Sequence, residues 1–179
     1  RSSEPLTGLV ELQELDLSGT QVTQLAGVET MKALRKLDIS GTQPASLEPL
    51  RPLKALEVLH FRSGQTATLE PLSGLVSLRE LALGSSSVVG VAGIAKLTRL
   101  EELRLDGTAL DNLEPLANLR RLKILDLSWT KVEDLRPIGK VTRLEKLFLH
   151  GASVMSLTGA EGLVRLRHVD LGNTKVMDI

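Results

Sequence analysis

The side chains best equipped for chemistry are three histidines, His60, His150 and His168, and a recurring set of serines, Ser18, Ser40 and Ser128. A histidine beside a serine and a carboxylate would be the start of a nucleophile and its base. Two or three histidines around one point would hold zinc, whose ligands lie about 2.0–2.3 Å from the metal. Either chemistry requires convergence, so the elements that carry these residues decide the matter.

Those elements are written in the stretch LQELDLSGTQV, from Leu12 to Val22. Near-copies begin at Leu34, Leu56, Leu78, Leu100, Leu122, Leu144 and Leu166, each 22 residues after the last. Ahead of them, residues 1–11 read as the back half of a unit, with Glu4, Pro5 and Leu6 aligning with Glu48, Pro49 and Leu50. The chain breaks off mid-unit at Ile179, so residues 1–179 are expected to form a single repeat domain excerpted from a longer array. In each unit the first, fourth and sixth residues are apolar, as in Leu122, Leu125 and Leu127. The fourth and sixth share one face of a strand, leaving the third, fifth and seventh on the other. The return segment is apolar every third residue (Leu25, Val28, Met31, Leu34), a spacing that suits a 3₁₀ or very short helical turn. Pro49, Pro71, Pro115 and Pro137 fall where such a turn begins and the missing N–H is tolerated. Units one, four and seven carry Gly27, Gly93 and Gly159 there instead, which hints at a three-unit duplication step.

The histidines thus occupy outward strand positions of units three, seven and eight. His60 and His150 are about 19 Å apart across four strand spacings, and His150 and His168 about 13 Å apart, so a shared metal fails on geometry. The serines recur because the repeat recurs, and none has a histidine and carboxylate placed as base and orienter. No phosphate-cradling G-x-x-x-x-G-K-[ST] motif occurs. Neither a catalytic residue, a metal ligand nor a cofactor contact is assigned, and the chain reads as a non-enzyme.

L-x-x-L-x-L recurring at a fixed interval of 20–29 residues is the leucine-rich-repeat signature. The 22-residue unit resembles the short repeat class of the nuclear regulatory subunit of protein phosphatase 1 and of the bacterial internalins. The LDLSGT and LDLSWT wording resembles leucine-rich-repeat proteins of trypanosomatid parasites. The fold expected is α/β: a right-handed, curved solenoid with a parallel β-sheet on its concave face and short 3₁₀ or helical turns on its convex face. The departure from the class is the ninth residue. In most leucine-rich repeats it is Asn, bonded to the backbone of the neighbouring turn; here it is Thr20, Thr42, Gly64, Ser86, Thr108, Thr130, Ala152 and Thr174. A hydroxyl can replace part of that ladder. Gly64 and Ala152 cannot, so units three and seven are expected to be locally irregular.

Lys plus Arg and Asp plus Glu number 22 each. That balance speaks against a nucleic-acid binder with a basic stripe and against a surface held by anionic lipid. No run of 18 apolar residues occurs, so no membrane insertion is expected. The lack of cysteine leans towards an intracellular, cytoplasmic or cytoskeletal setting. Leu171 and Val176 are expected to lie open at the last unit, which allows end-to-end self-association.

Two outward rows carry information. The second residue of the unit runs Arg35, Glu57, Arg79, Glu101, Lys123, Glu145, Arg167, alternating in sign, and reads as a solvated stabilising ladder. The concave row is polar in most units, but unit three shows Val58, His60 and Arg62, and Arg104 follows in unit five. Units six and seven show Ile124, Trp129, Phe148 and His150, with Trp129 the only Trp of the chain. These eight residues are the candidate protein-binding set, since aromatics and Arg dominate binding hot spots. The expected function is a protein-interaction scaffold gripping a protein or peptide on the concave sheet. Alternatives are a structural spacer within a larger protein and a regulatory or targeting subunit of an enzyme.

Overall fold

The computed structural model describes residue 6 and residues 8–64, 68–88 and 90–177. The alignment of Glu4 and Pro5, and the terminal Ile179, therefore lie outside the described residues. Each unit contributes one three-residue strand: β1 (Glu14–Asp16), β2 (Lys36–Asp38), β3 (Val58–His60), β4 (Glu80–Ala82), β5 (Glu102–Arg104), β6 (Ile124–Asp126), β7 (Lys146–Phe148) and β8 (His168–Asp170). All pair in parallel and in sequence order. The register never slips, with Leu15, Leu37, Leu59, Leu81, Leu103, Leu125, Leu147 and Val169 side by side. A one-residue slip would turn every leucine outward, so the apolar fourth position pins the pairing.

Six 3₁₀ turns return the chain behind the sheet: Val28–Thr30, Glu48–Leu50, Glu70–Leu72, Ala92–Ile94, Glu114–Leu116 and Arg136–Ile138. The prolines open four of them, where no N–H is needed. Between sheet and turns runs one leucine-rich core. In unit two, Leu34, Leu37, Ile39, Leu47, Leu50 and Leu53 are all fully buried. Burying such a side chain is worth up to about 1.5–3 kcal/mol. Towards the first and last described units burial falls: Leu12, Leu15, Leu171 and Val176 are half-buried, while Val169 and Met177 are exposed.

The three special glycines do not form one set. Gly27 and Gly159 have φ of 98° and 95°, and each donates its N–H to the glutamate two residues on, Glu29 and Glu161, at 2.7 Å. Gly93 lies inside its 3₁₀ turn, where a Cβ would come within 2.3 Å of the Leu69 carbonyl oxygen. Units one and seven share a device; unit four solves a different problem, close approach to its neighbour.

The ninth position also differs from expectation. Thr42, Thr108 and Thr130 are buried, and each hydroxyl donates to the carbonyl three residues back, at 2.5–2.7 Å. The bond stays within one unit, because a Thr side chain is too short to reach the next turn as Asn would. Ala152 keeps the turn through its own N–H, bonded to Leu149 at 2.9 Å, so unit seven is regular there. Gly64 is explained by Phe61: a Cβ on Gly64 would meet the Phe61 ring at 2.0–2.4 Å. The ring fills the volume that a leucine and a threonine share elsewhere. Buried Ser86 Oγ in unit four, by contrast, has no hydrogen-bond partner among the described residues.

Candidate interaction face

Beyond each strand the ladder continues. The N–H of the eighth residue donates to the seventh-residue carbonyl of the next unit, as Gly19 to Ser40, Gly107 to Ser128 and Trp129 to His150 at 2.7–2.8 Å. The eighth residue lies in the left-handed region in all eight units, the last included: Gly19, Gly41, Ser63, Ser85, Gly107, Trp129, Gly151 and Asn173, with φ between 55° and 71°. Glycine takes this conformation freely and Asn tolerates it. For a bulky residue such as Trp129, at φ 58°, it costs on the order of 1 kcal/mol or more.

The Trp129 indole is 60% exposed. Its underside lies on Gly151, where a Cβ would sit 2.3 Å from the ring. Its edge meets His150, with centroids 5.1 Å apart and planes at 63°. His150 in turn lies over Gly172 and near Asp170 (3.6 Å), with Nε2 3.0 Å from the Asn173 amide nitrogen. Two residues back on the same strand, half-buried Phe148 tilts against His168 at a centroid distance of 5.0 Å. The four rings form two pairs side by side on units six to eight, a ring platform on the outward face. Phe148 stands between Asp126 and Asp170 in the strand register. Each carboxylate caps an N–H two residues on (Ser128 and Gly172, 3.0 and 2.9 Å) through one oxygen. Ile124, half-buried on β6 between Glu102 and Lys146, borders the platform.

The other candidates lie elsewhere and are already engaged. Val58 is half-buried on β3 between Lys36 and Glu80. His60 lies between two carboxylates. Its Nδ1 is 3.4 Å from Asp38, but the closer contact is Nε2 to Glu80 at 2.7 Å. Ala82, its lateral neighbour on β4, is small enough to let the ring lean across. Arg62 turns away and pairs with Asp106, two units on, through two hydrogen bonds of 2.8 and 3.2 Å. It crosses over Gly84, where a Cβ would strike Asp106 at 2.4 Å. Arg104 binds Glu102 at 2.5 Å. Desolvation opposes the Arg104 charge, but Glu102, Glu80 and Asp126 outweigh it and raise its pKa.

The charge ladder is continuous from Arg35 to Lys123, with Arg35–Glu57 at 2.5 Å, Arg79–Glu101 at 3.4 Å and Lys123–Glu101 at 2.6 Å. Lys123 is the main cause of a lowered Glu101 pKa. Among the described residues Glu145 makes no ion pair, so the alternation outlasts the bridges.

Sequence reasoning missed His168 as a ring partner, Glu80 as the partner of His60, and the glycines Gly84, Gly151 and Gly172. The signal was present: each glycine stands one unit after a long side chain or ring at the same or an adjacent unit position.

No protein-family model matches the chain, and no curated protein matches it. Solved structures do. An internalin (inlF) of Listeria monocytogenes aligns over 94% of this chain with TM-score 0.89 and 22% identity. The fold is a leucine-rich-repeat solenoid. The internalin C2 (inlC2) of the same organism aligns with TM-score 0.87, 24% identity and 94% coverage. A plant peptide hormone receptor, RGFR1 in complex with RGF2, aligns over 97% with TM-score 0.78 and 19% identity. The chain spans 50% of the first internalin, 74% of the second and 30% of the receptor. The likeness to the phosphatase regulatory subunit and to trypanosomatid proteins stays one of sequence wording.

Proposed function

We propose that this solenoid is a protein-interaction scaffold, without catalysis, that grips a protein or peptide at the ring platform of units six to eight. The observation that carries the reading is Trp129: a bulky, exposed side chain held at φ 58° in a column otherwise made of Gly, Ser and Asn. Strain retained at an exposed aromatic suits a binding anchor better than a structural role. The receptor complex shows the fold engaging a peptide hormone in a neighbour. His60, Arg62 and Arg104 pair within the chain, and with Val58 they stay outside the proposed grip. The absence of cysteine supports an intracellular setting.

The test is comparative affinity purification of the parent protein against Trp129→Gly and Phe148→Ala, read by quantitative mass spectrometry. Expected is loss of specific partners from both variants, with Trp129→Gly melting no lower than the parent. A destabilised Trp129→Gly protein with unchanged partners would make the indole structural and favour a spacer.

A further inference from the structure

We infer that the segment gripped by this platform carries an arginine or lysine two residues from an apolar anchor, in extended conformation across the strands. The inference rests on the platform being the binding face and goes on to name the chemistry of its occupant.

Among the concave carboxylates of units two to five, Asp38 and Glu80 face His60, Glu102 holds Arg104, and Asp106 holds Arg62. Asp126 and Asp170 are half-buried and, among the described residues, have no Arg or Lys within ion-pair distance. The Asp170 contact with His150 is 3.6 Å. Each carboxylate spends one oxygen on a backbone N–H and keeps the other free. They bracket Phe148, one strand spacing to either side. That spacing is about 4.8 Å, so the two carboxylates stand about 9.6 Å apart with an aromatic ring between them.

An extended peptide lying across the strands presents same-face side chains about 6.8 Å apart. With an apolar residue seated over Phe148, the residue two positions away stands about 2 Å past a flanking aspartate, within the reach of an Arg or Lys side chain. Its cation can bond the aspartate oxygen in a charge-assisted hydrogen bond. An acidic residue at the same place would be repelled, since Arg104, which stands beside Asp126 in the register, is itself paired with Glu102.

Trp129 is the chain's sole Trp, so its fluorescence reports occupancy without a label. The purified chain would be used to select from a phage-displayed library of random linear peptides, followed by fluorescence titration of synthetic winners. Expected is a motif with Arg or Lys two positions from a Leu, Phe or similar residue. The double variant Asp126→Asn, Asp170→Asn should weaken it at least tenfold, and rising salt should weaken it further. Phe148→Ala should weaken it irrespective of charge. Winners that depend on Phe148 and Trp129 but lack a basic residue, or ignore the aspartate variant, would overturn this inference and leave the binding platform standing. Winners indifferent to Phe148 and Trp129, or no enrichment over the Trp129→Gly chain, would overturn both.

Discussion

Units three to five and units six to eight present the same sheet face and use it in opposite ways. In the first region His60 leans on Asp38 and Glu80, Arg62 reaches over Gly84 to Asp106, and Arg104 holds Glu102. Its polar groups are satisfied within the chain. In the second region four rings lie over glycines or against one another, with Asp126 and Asp170 beside them. The same repeat backbone thus carries one stretch whose charged side chains pair within the chain and one that presents rings beside carboxylates with no Arg or Lys in ion-pair distance among the described residues. Residue type alone does not separate the two; what a charged side chain can reach does.

The largest effect expected of this contrast is on binding. Phe148→Ala or Trp129→Ala should cost about 2 kcal/mol or more of partner affinity, roughly thirtyfold, while the melting temperature barely moves. Isothermal titration and thermal melts on the same preparations check both halves. Equal losses of affinity and stability would erase the contrast.

Next is Gly151→Ala. It places a Cβ in the left-handed region and 2.3 Å from the indole, so a loss of about 2 kcal/mol is expected in denaturant titration. Gly107→Ala has similar φ but only Ser85 Oγ nearby, at 3.3 Å, and should lose about 1 kcal/mol. Introducing Trp129→Gly should bring Gly151→Ala down to the Gly107→Ala value. Failure of that rescue would mean the indole does not rest on Gly151.

Arg62→Ala belongs to the other region and should behave in reverse. It leaves Asp106, a largely covered carboxylate, without its cation and should cost about 1 kcal/mol of stability with partner affinity unchanged. A loss of affinity comparable to that of Phe148→Ala would extend the binding face to unit three.

Smaller still is the ladder. Glu101→Lys, set between Arg79 and Lys123, should destabilise by under about 1.5 kcal/mol, and high salt should shrink the loss. The smallest effect is its pH dependence. The folded-state pKa of Glu101 is held below that of a free glutamate, chiefly through the Lys123 hydrogen bond. Its contribution is therefore present above the unfolded pKa and disappears as pH falls through the folded one. The stability gap between the parent and Glu101→Gln should close on acidification below about pH 4. A gap that persists there would indicate a packing defect.

The sequence by itself determined the fold. A leucine at the first, fourth and sixth residues of a fixed 22-residue unit leaves one strand register and one stacking direction that bury them, and the prolines mark the return turns. It also placed Phe148 and His150 on the outward face, because side chains alternate along a strand, whereas the exposure of Trp129 follows from the turn after the strand. Only the tertiary structure decided which outward residues are spent. Arg62 finds Asp106, 44 positions away, because Gly84 removes the side chain between them. His60 finds Glu80 rather than Asp38 alone because Ala82 leaves room. The strain at Trp129 came from the turn after the strand, which holds the eighth residue in the left-handed region, a conformation that Gly takes freely in four other units. Long side chains choose among several partners within reach, and that choice depends on what the neighbouring units leave empty.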